Sequence, residues 1–398
     1  MKVGILTLHS QLNYGGVLQV FALQMALTRL GHEVVVIDRW QDKTNQSLKG
    51  IFSEKSLGAW LGFFLRVLAG CGVAGRAWRH LKTMAFLRRY LSLTPYHFTE
   101  WNDAPADLGV DVIVVGSDQV WHGGDWGNPL PYLLEGAPPL TAIAYAASFG
   151  MPQMPESLVD AYRAGMRRFS AISVRETEGV ALVSELGRQA THVVDPTLLL
   201  SREDWCQLLE MHETCIVKKP CLVCYFLSED VEAAFPALET FARESRARVE
   251  VFVDDWFLPV PKSSRAVLRR LAELVRYRFS SVRLRLSAGP REFVEAFARA
   301  TWVVSDSFHA LMFSAIFAKN GRVLRPKCEM RKKMFARIEE FAQDCVQSGT
   351  LFSEDLPKAL RSLTDESSVS FDDEALALRR GASEEWLSRT LLGFSPQK

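Results

Sequence analysis

The chain has 398 residues and carries 47 lysines and arginines against 46 aspartates and glutamates, a net charge of +1. That balance excludes the broad positive field that draws nucleic acid, so no such partner is expected and any anion must be held by local groups. Hydrophobic residues make up 48% of the sequence, enough to fill the cores of two or three domains.

Strand-like and helix-like runs alternate from the start. Residues 1–8, "MKVGILTL", carry one lysine and a short apolar run, which reads as a first buried strand rather than a secretory leader. Seven cysteines, an odd number without a regular framework, suggest a reducing compartment and a cytoplasmic protein. The loop "HSQLNYGGVLQ" follows. Asn13, Tyr14, Gly15 and Gly16 either let a ligand approach the backbone, as an acceptor site needs, or simply make a tight strand-to-helix turn. The spacing G-x-G-x-x-G of a dinucleotide site is absent, although Asp38 ends the next strand where a ribose-binding acid would stand. The helical pattern "VLQVFALQMALTRLG" and the strand "EVVVID" complete a βαβ unit, which implies a parallel sheet.

Residues 40–107 read as an irregular, partly helical insertion. Within it, "SLGAWLGFFLRVLAGCGVAG" precedes Arg76, Arg79, His80, Lys82, Arg88 and Arg89. The segment 56–90 is therefore either a packed helical hairpin or an interfacial segment resting on an anionic membrane. Next come the strands "VDVIVVG", "TAIAYA", "AISVRE" and "THVVD". The first ends in Gly116-Ser117-Asp118-Gln119-Val120-Trp121. Here Asp118 and Gln119 face a crevice and bind a polyol over a Trp121 platform, or Asp118 merely caps a turn. Arg175, at the end of "AISV", suits a carboxylate or phosphate, or a salt bridge to Glu176 or Glu178. Asp195-Pro196 reads as a domain boundary.

A second α/β series runs through "PCLVCYFL", a helix at 231–247, "VEVFVD", a helix at 264–277, "PREFVEAFARA" and "TWVVSD". Cys221 and Cys224 lie three apart in a strand and so point to opposite faces, and no metal site is expected. His309 stands in the first turn of the following helix, where open amides and the macrodipole favour an anion. It is either a proton donor to a bound anionic substrate or a histidine hydrogen-bonded to Asp306. The run "RPKCEMRKKMFAR" reads as a solvated helix face from which one or two members reach the crevice. The tail "DDEALALRRGASEEWLSRTLLG" reads as an amphipathic helix. The fold class is thus α/β, with two Rossmann-like domains facing across a crevice. They span 1–195 (with the insertion) and 196–340, and a helical tail, 341–398, crosses back onto the first. Ligands are expected beyond the carboxyl ends of the strands.

The motifs "LNYGGVLQVFALQ", "VVGSDQVW", "YAASFG", "ISVRE", "VVDPTLLL" and "VVSDSFHALMFSAIF", in this order, resemble the polysaccharide pyruvyl transferase family. The resemblance implies a GT-B-like fold, phosphoenolpyruvate as co-substrate without a further cofactor, and a saccharide acceptor, free or lipid-linked. The product would be a pyruvate ketal of a capsule or exopolysaccharide, made at the inner face of the plasma membrane. It gives Arg175 and His309 to the donor site. Some members carry Asp-Arg-Leu-His where this chain has Asp306-Ser307-Phe308-His309, so Ser307 and Phe308 enter the donor site and Arg331 or Lys332 substitutes for the absent arginine. In the implied chemistry His309 protonates the methylene carbon of the donor, and Asp118 assists the attacking hydroxyl. A nucleotide-sugar glycosyltransferase or a non-catalytic saccharide- or anion-binding relative would share the architecture.

Overall fold

The computed structural model describes residues 1–10, 13–40, 73–124, 127–211, 219–229, 231–253, 280–327, 332, 335–364 and 368–394. In the first domain the strands are β1 (Lys2–Leu6), β2 (Glu33–Arg39), β3 (Leu93–Phe98), β4 (Val112–Val115), β5 (Ala142–Ala147), β6 (Ala171–Val174) and β7 (Thr191–His192). They form one parallel sheet in the order β3-β2-β1-β4-β5-β6-β7. The second domain contributes β8 (Cys221–Phe226), β9 (Arg248–Val253), β10 (Val282–Leu284), β11 (Trp302–Ser305), β12 (Asn320–Leu324), β13 (Val346–Ser348), β14 (Phe352–Ser353) and β15 (Ser370–Phe371). Its parallel sheet runs β10-β9-β8-β11-β12-β14, while β13 and β15 pair antiparallel.

Helices cover both faces of each sheet, which is why central strands such as "VIVV" and "CLVCYF" are apolar on both sides and wholly buried. In each sheet the chain reverses its winding beside the first strand, between β1 and β4 and between β8 and β11. These switch points open a crevice at the carboxyl ends of the strands.

The stretch 40–107 is more regular than its sequence suggests. It holds the helix Val73–Tyr90 and the edge strand β3, whose proline and alternating polar residues hide it from a search for apolar runs. Residues 41–72, with most of the apolar segment, lie outside the described residues, as does the helix expected at 264–277. Several members of the basic stretch make contacts within the fold. Arg79 is buried over the Tyr14 ring at 4.9 Å, Lys82 pairs with Glu292, and Arg89 pairs with Glu210 at 2.9 Å. Among the described residues no helix is long and apolar enough to cross a membrane.

The helix Asp373–Leu392, capped by Asp372 through its bond from the Ala375 amide, lies against the first domain. Its Ser383 Oγ accepts from the Val194 amide at 3.0 Å and Arg380 Nε donates to the Leu198 carbonyl at 2.7 Å. Leu387 and Leu391 are fully buried in a core that continues into both domains. Leu387→Ala is therefore expected to destabilise the whole chain by about 2–5 kcal/mol, since the cavity cannot collapse between sheet and helix. Urea unfolding followed by both fluorescence and circular dichroism measures this; a change below about 1 kcal/mol would mean that the tail is peripheral.

Candidate active site between the two domains

Loops at the carboxyl ends of strands from both domains meet in the crevice. After β1, Asn13 caps the helix Tyr14–Arg29 by accepting from the Gly15 amide at 2.9 Å. Gly15 leaves no room for a Cβ, because the His309 ring of the other domain lies against it. A Cβ on Gly16 would stand 3.3 Å from Asp118 Oδ2. The paired glycines thus serve a close approach, though what approaches is the protein itself: the His309 ring at Gly15, and the Leu8 carbonyl and Asp118 at Gly16. Tyr14 is not open to an acceptor. It is buried, stacks on Phe293 at 4.4 Å and donates to the Ala288 carbonyl at 2.8 Å, which makes it a domain-joining residue. Asp38 is likewise occupied, bonded to His9 Nε2 at 3.0 Å and to Trp40 Nε1 at 2.6 Å, and does not present itself to a ribose.

After β4, Asp118 takes a φ of 68°, in the left-handed region that aspartate tolerates better than most residues. Gln119 lies beside Gly150 with its Nε2 buried and unbonded. Trp121 is no stacking platform: it has no exposed surface and packs among Phe149 and Phe169 at 5.2 and 5.6 Å. An aromatic after a strand end filled the core here, because the turn directs it under the sheet.

The centre of the site is Arg175, after β6, whose side chain is 1% exposed. Its Nη1 donates to Asp195 Oδ2 at 2.9 Å and its Nη2 to Asp118 Oδ1 at 3.3 Å, while Nε faces Glu176 Oε2 at 3.7 Å. Burial lowers the pKa of this guanidinium, but Asp118, Asp195 and Glu176 outweigh it and raise it. Arg175 therefore spends its fork on protein carboxylates and does not offer it to a substrate. Neither Asp195 nor Asp118 stood out as its partner in the sequence, where Glu176 and Glu178 were the near choices.

Asp195, after β7, also accepts from the Thr197 amide at 3.0 Å and its hydroxyl at 2.8 Å. Burial pushes its carboxyl up, and the pull of His309, Arg175 and the Thr197 amide more than reverses this, holding it well below the usual carboxylate range. Sequence reasoning treated Asp195 only as a boundary; an aspartate closing a parallel strand was the signal that it belongs here.

From the second domain, Asp306 accepts from the amides of Leu227 and Ser228 at 2.6 and 2.7 Å and so ties the loops after β8 and β11 together. It leaves His309 alone. Ser307 is the N-cap of the helix Phe308–Ile316, and its amide donates to Ser305 Oγ at 3.0 Å. His309 Nε2 lies 3.7 Å from Asp195 Oδ2, an ion-pair distance longer than a hydrogen bond, and it is buried with no hydrogen-bond partner. Phe308 sits under two guanidiniums, with Arg175 at 4.9 Å and Arg337 at 5.1 Å from its ring centre. Of the basic run, Arg331 lies outside the described residues and Lys332 is exposed. The member that reaches the site is Arg337. Cys221 and Cys224 are buried in β8, and burial pushes the Cys221 thiol up to about 11. Among the described residues no group of three or more His, Cys, Asp or Glu side chains is placed to hold a metal ion.

Residues 13–327 match the family model described as polysaccharide pyruvyl transferase. No curated protein matches the sequence. Among solved structures, a UDP-GlcNAc 2-epimerase from Methanocaldococcus jannaschii aligns with a TM-score of 0.53 at 11% identity, over 98% of this chain and 99% of that one. The same organism's enzyme in complex with UDP-GlcNAc and UDP gives 0.51 at 13% identity, over 98% and 99%. A putative UDP-N-acetylglucosamine 2-epimerase from Listeria monocytogenes gives 0.50 at 11%, over 98% and 94%. These likenesses concern the fold alone, which is of the two-domain GT-B type.

Two outcomes follow from the geometry. Gly15→Ala should cost about 1–3 kcal/mol by overpacking against His309, and much less in a His309→Ala background. Equal costs in both backgrounds, in a double-mutant unfolding cycle, would mean that the ring is not the obstacle. Asp195 is ionised in the folded chain below the pH at which an unfolded aspartate takes up its proton, about pH 4. Its stabilisation is full above that value and is lost as pH falls further toward the folded pKa. Melting temperatures between about pH 6 and pH 3 should thus fall less steeply for Asp195→Asn, from a lower starting point; parallel curves would contradict the assignment.

Proposed function

The chain belongs to the polysaccharide pyruvyl transferase family, and from that membership we propose that it transfers the pyruvyl group of phosphoenolpyruvate to two hydroxyls of a saccharide, forming a cyclic ketal. The observation that carries the reading is His309 Nε2, a buried ring nitrogen without a hydrogen bond, set against the carboxylate of Asp195. The ring is thus placed to give a proton to a substrate in the crevice.

In this reading His309 delivers that proton to the methylene carbon of the donor, which becomes the methyl group, and positive charge develops at C2. A saccharide hydroxyl adds to C2 while its proton passes to Asp118, whose Oδ1 is anchored by Arg175 and whose Oδ2 lies beside Gly16. The bond from C2 to the bridging oxygen then breaks, and phosphate leaves with that oxygen and the proton from Asp118; the second hydroxyl closes the ring at C2 and its proton returns to His309. Asp195 and Arg175 keep His309 and Asp118 at fixed positions, so that orientation rather than new bonding does the remaining work. Asn13 and Gln119 border the same crevice on the acceptor side. The acceptor belongs to cell-surface polysaccharide synthesis, and the site of action is the cytoplasmic face of the membrane.

The test is phosphate release from phosphoenolpyruvate in the presence of saccharide acceptors. His309→Ala should lower turnover by about 100-fold or more with an unchanged melting temperature. A variant keeping half of the wild-type rate would remove His309 from the chemistry. Turnover of a nucleotide sugar with no response to phosphoenolpyruvate would favour a glycosyltransferase instead.

A further inference from the structure

Arg175 and Arg337 lie over the same ring, yet their N–H groups meet different surroundings. Arg175 faces three carboxylates. Arg337, on the helix Ala336–Cys345, has Nε and Nη1 buried with no hydrogen-bond partner. Burial, and then the charge of Arg175, push its pKa down to about 10, against a weaker upward pull from Glu176, Asp118 and Asp195. It is still a cation at neutral pH. Arg337 as a whole is half-buried, but leaving its buried Nε and Nη1 donors unmade is costly, and an oxyanion arriving at them removes the cost.

The position of Arg337 is fixed from two sides. Glu340, one turn on along the same helix face, accepts from the Thr177 amide at 3.0 Å and from its hydroxyl, which pins the helix to the loop after β6. Phe308, whose ring lies 5.1 Å from the guanidinium carbon, is the first residue of the helix Phe308–Ile316. Arg337 thus lies over the side chain of the residue that opens this helix, whose first-turn amides and dipole also favour negative charge.

We propose that Arg337 and the first turn of the helix Phe308–Ile316 form the oxyanion-binding site of the crevice, taking the phosphate or the carboxylate of an anionic substrate. The identification of that substrate as phosphoenolpyruvate rests on the function proposed above; the site itself does not. Arg337 is in this account a binding residue, and Arg175 positions the carboxylates around it.

Calorimetric titration of the full chain and of Arg337→Gln with phosphoenolpyruvate, inorganic phosphate and pyruvate tests this, together with melting temperatures without ligand. Arg337→Gln should bind the oxyanion about 10- to 100-fold more weakly, as expected for the loss of charged hydrogen bonds. Its ligand-free melting temperature should stay level or rise, because two buried donors without partners are gone. Weakened binding of inorganic phosphate assigns the site to the phosphoryl group, and weakened binding of pyruvate assigns it to the carboxylate. Unchanged affinity for phosphoenolpyruvate in the variant overturns the inference and leaves the proposed function standing. A ligand-free melting temperature lowered by several degrees also overturns it, because Arg337 would then be structural. If the wild type binds phosphate but not phosphoenolpyruvate, and Arg337→Gln loses it, the site stands and the donor is another anion. A wild type that binds none of the three overturns both.

Discussion

Everything in the crevice depends on one buried cation. Arg175 draws together carboxylates that end or follow different strands: Asp118 after β4, Asp195 after β7 and its own neighbour Glu176. Three carboxylates at this depth repel one another, and one guanidinium does not neutralise them. From the second domain His309 Nε2 approaches Asp195 at 3.7 Å, and Arg337 lies over the Phe308 ring at 5.1 Å. The cluster around Arg175 thus lies where the two domains meet, with the His309 ring at the seam.

The geometry of the seam follows from that constraint. His309 meets Asp195 only because Gly15 has no side chain, and Asp118 is held near the same loop because Gly16 has none. Contacts farther out keep the domains in register. Tyr14 bonds to Ala288, Lys82 pairs with Glu292, and Thr177 is held by Glu340. The helix Asp373–Leu392 then crosses back to the first domain and buries Leu387 and Leu391 there. A crevice braced on so many sides favours a preorganised site, in which little reorganisation accompanies the reaction.

Much of this was legible in the sequence, and the failures have physical causes. Alternating apolar runs with turn residues after each announce two parallel sheets, and the strand-end rule then points to the loops at 13–16, 116–119, 175 and 307–309. Within a loop the sequence does not tell which way a side chain turns. Trp121, read as a stacking platform, and Tyr14, read as part of an acceptor loop, are both core, since large rings readily fill the space under a tight loop. Asp195 was hidden by its proline, which signals a boundary more loudly than an acid signals a site. Arg337 was one of six basic residues in a short run. Only the register of the helix Ala336–Cys345 and its contact with Phe308 separate it from the exposed Lys332.

The central claim is that this seam carries out enol-ether chemistry at C2 of the donor. Phosphoenolpyruvate labelled with heavy oxygen in its bridging position tests it most directly, with mass analysis of the products after turnover with a saccharide acceptor. The account predicts that the label leaves with phosphate and that the saccharide gains an unlabelled pyruvyl group. Label retained in free pyruvate, or phosphate released with no change in the saccharide, would contradict it.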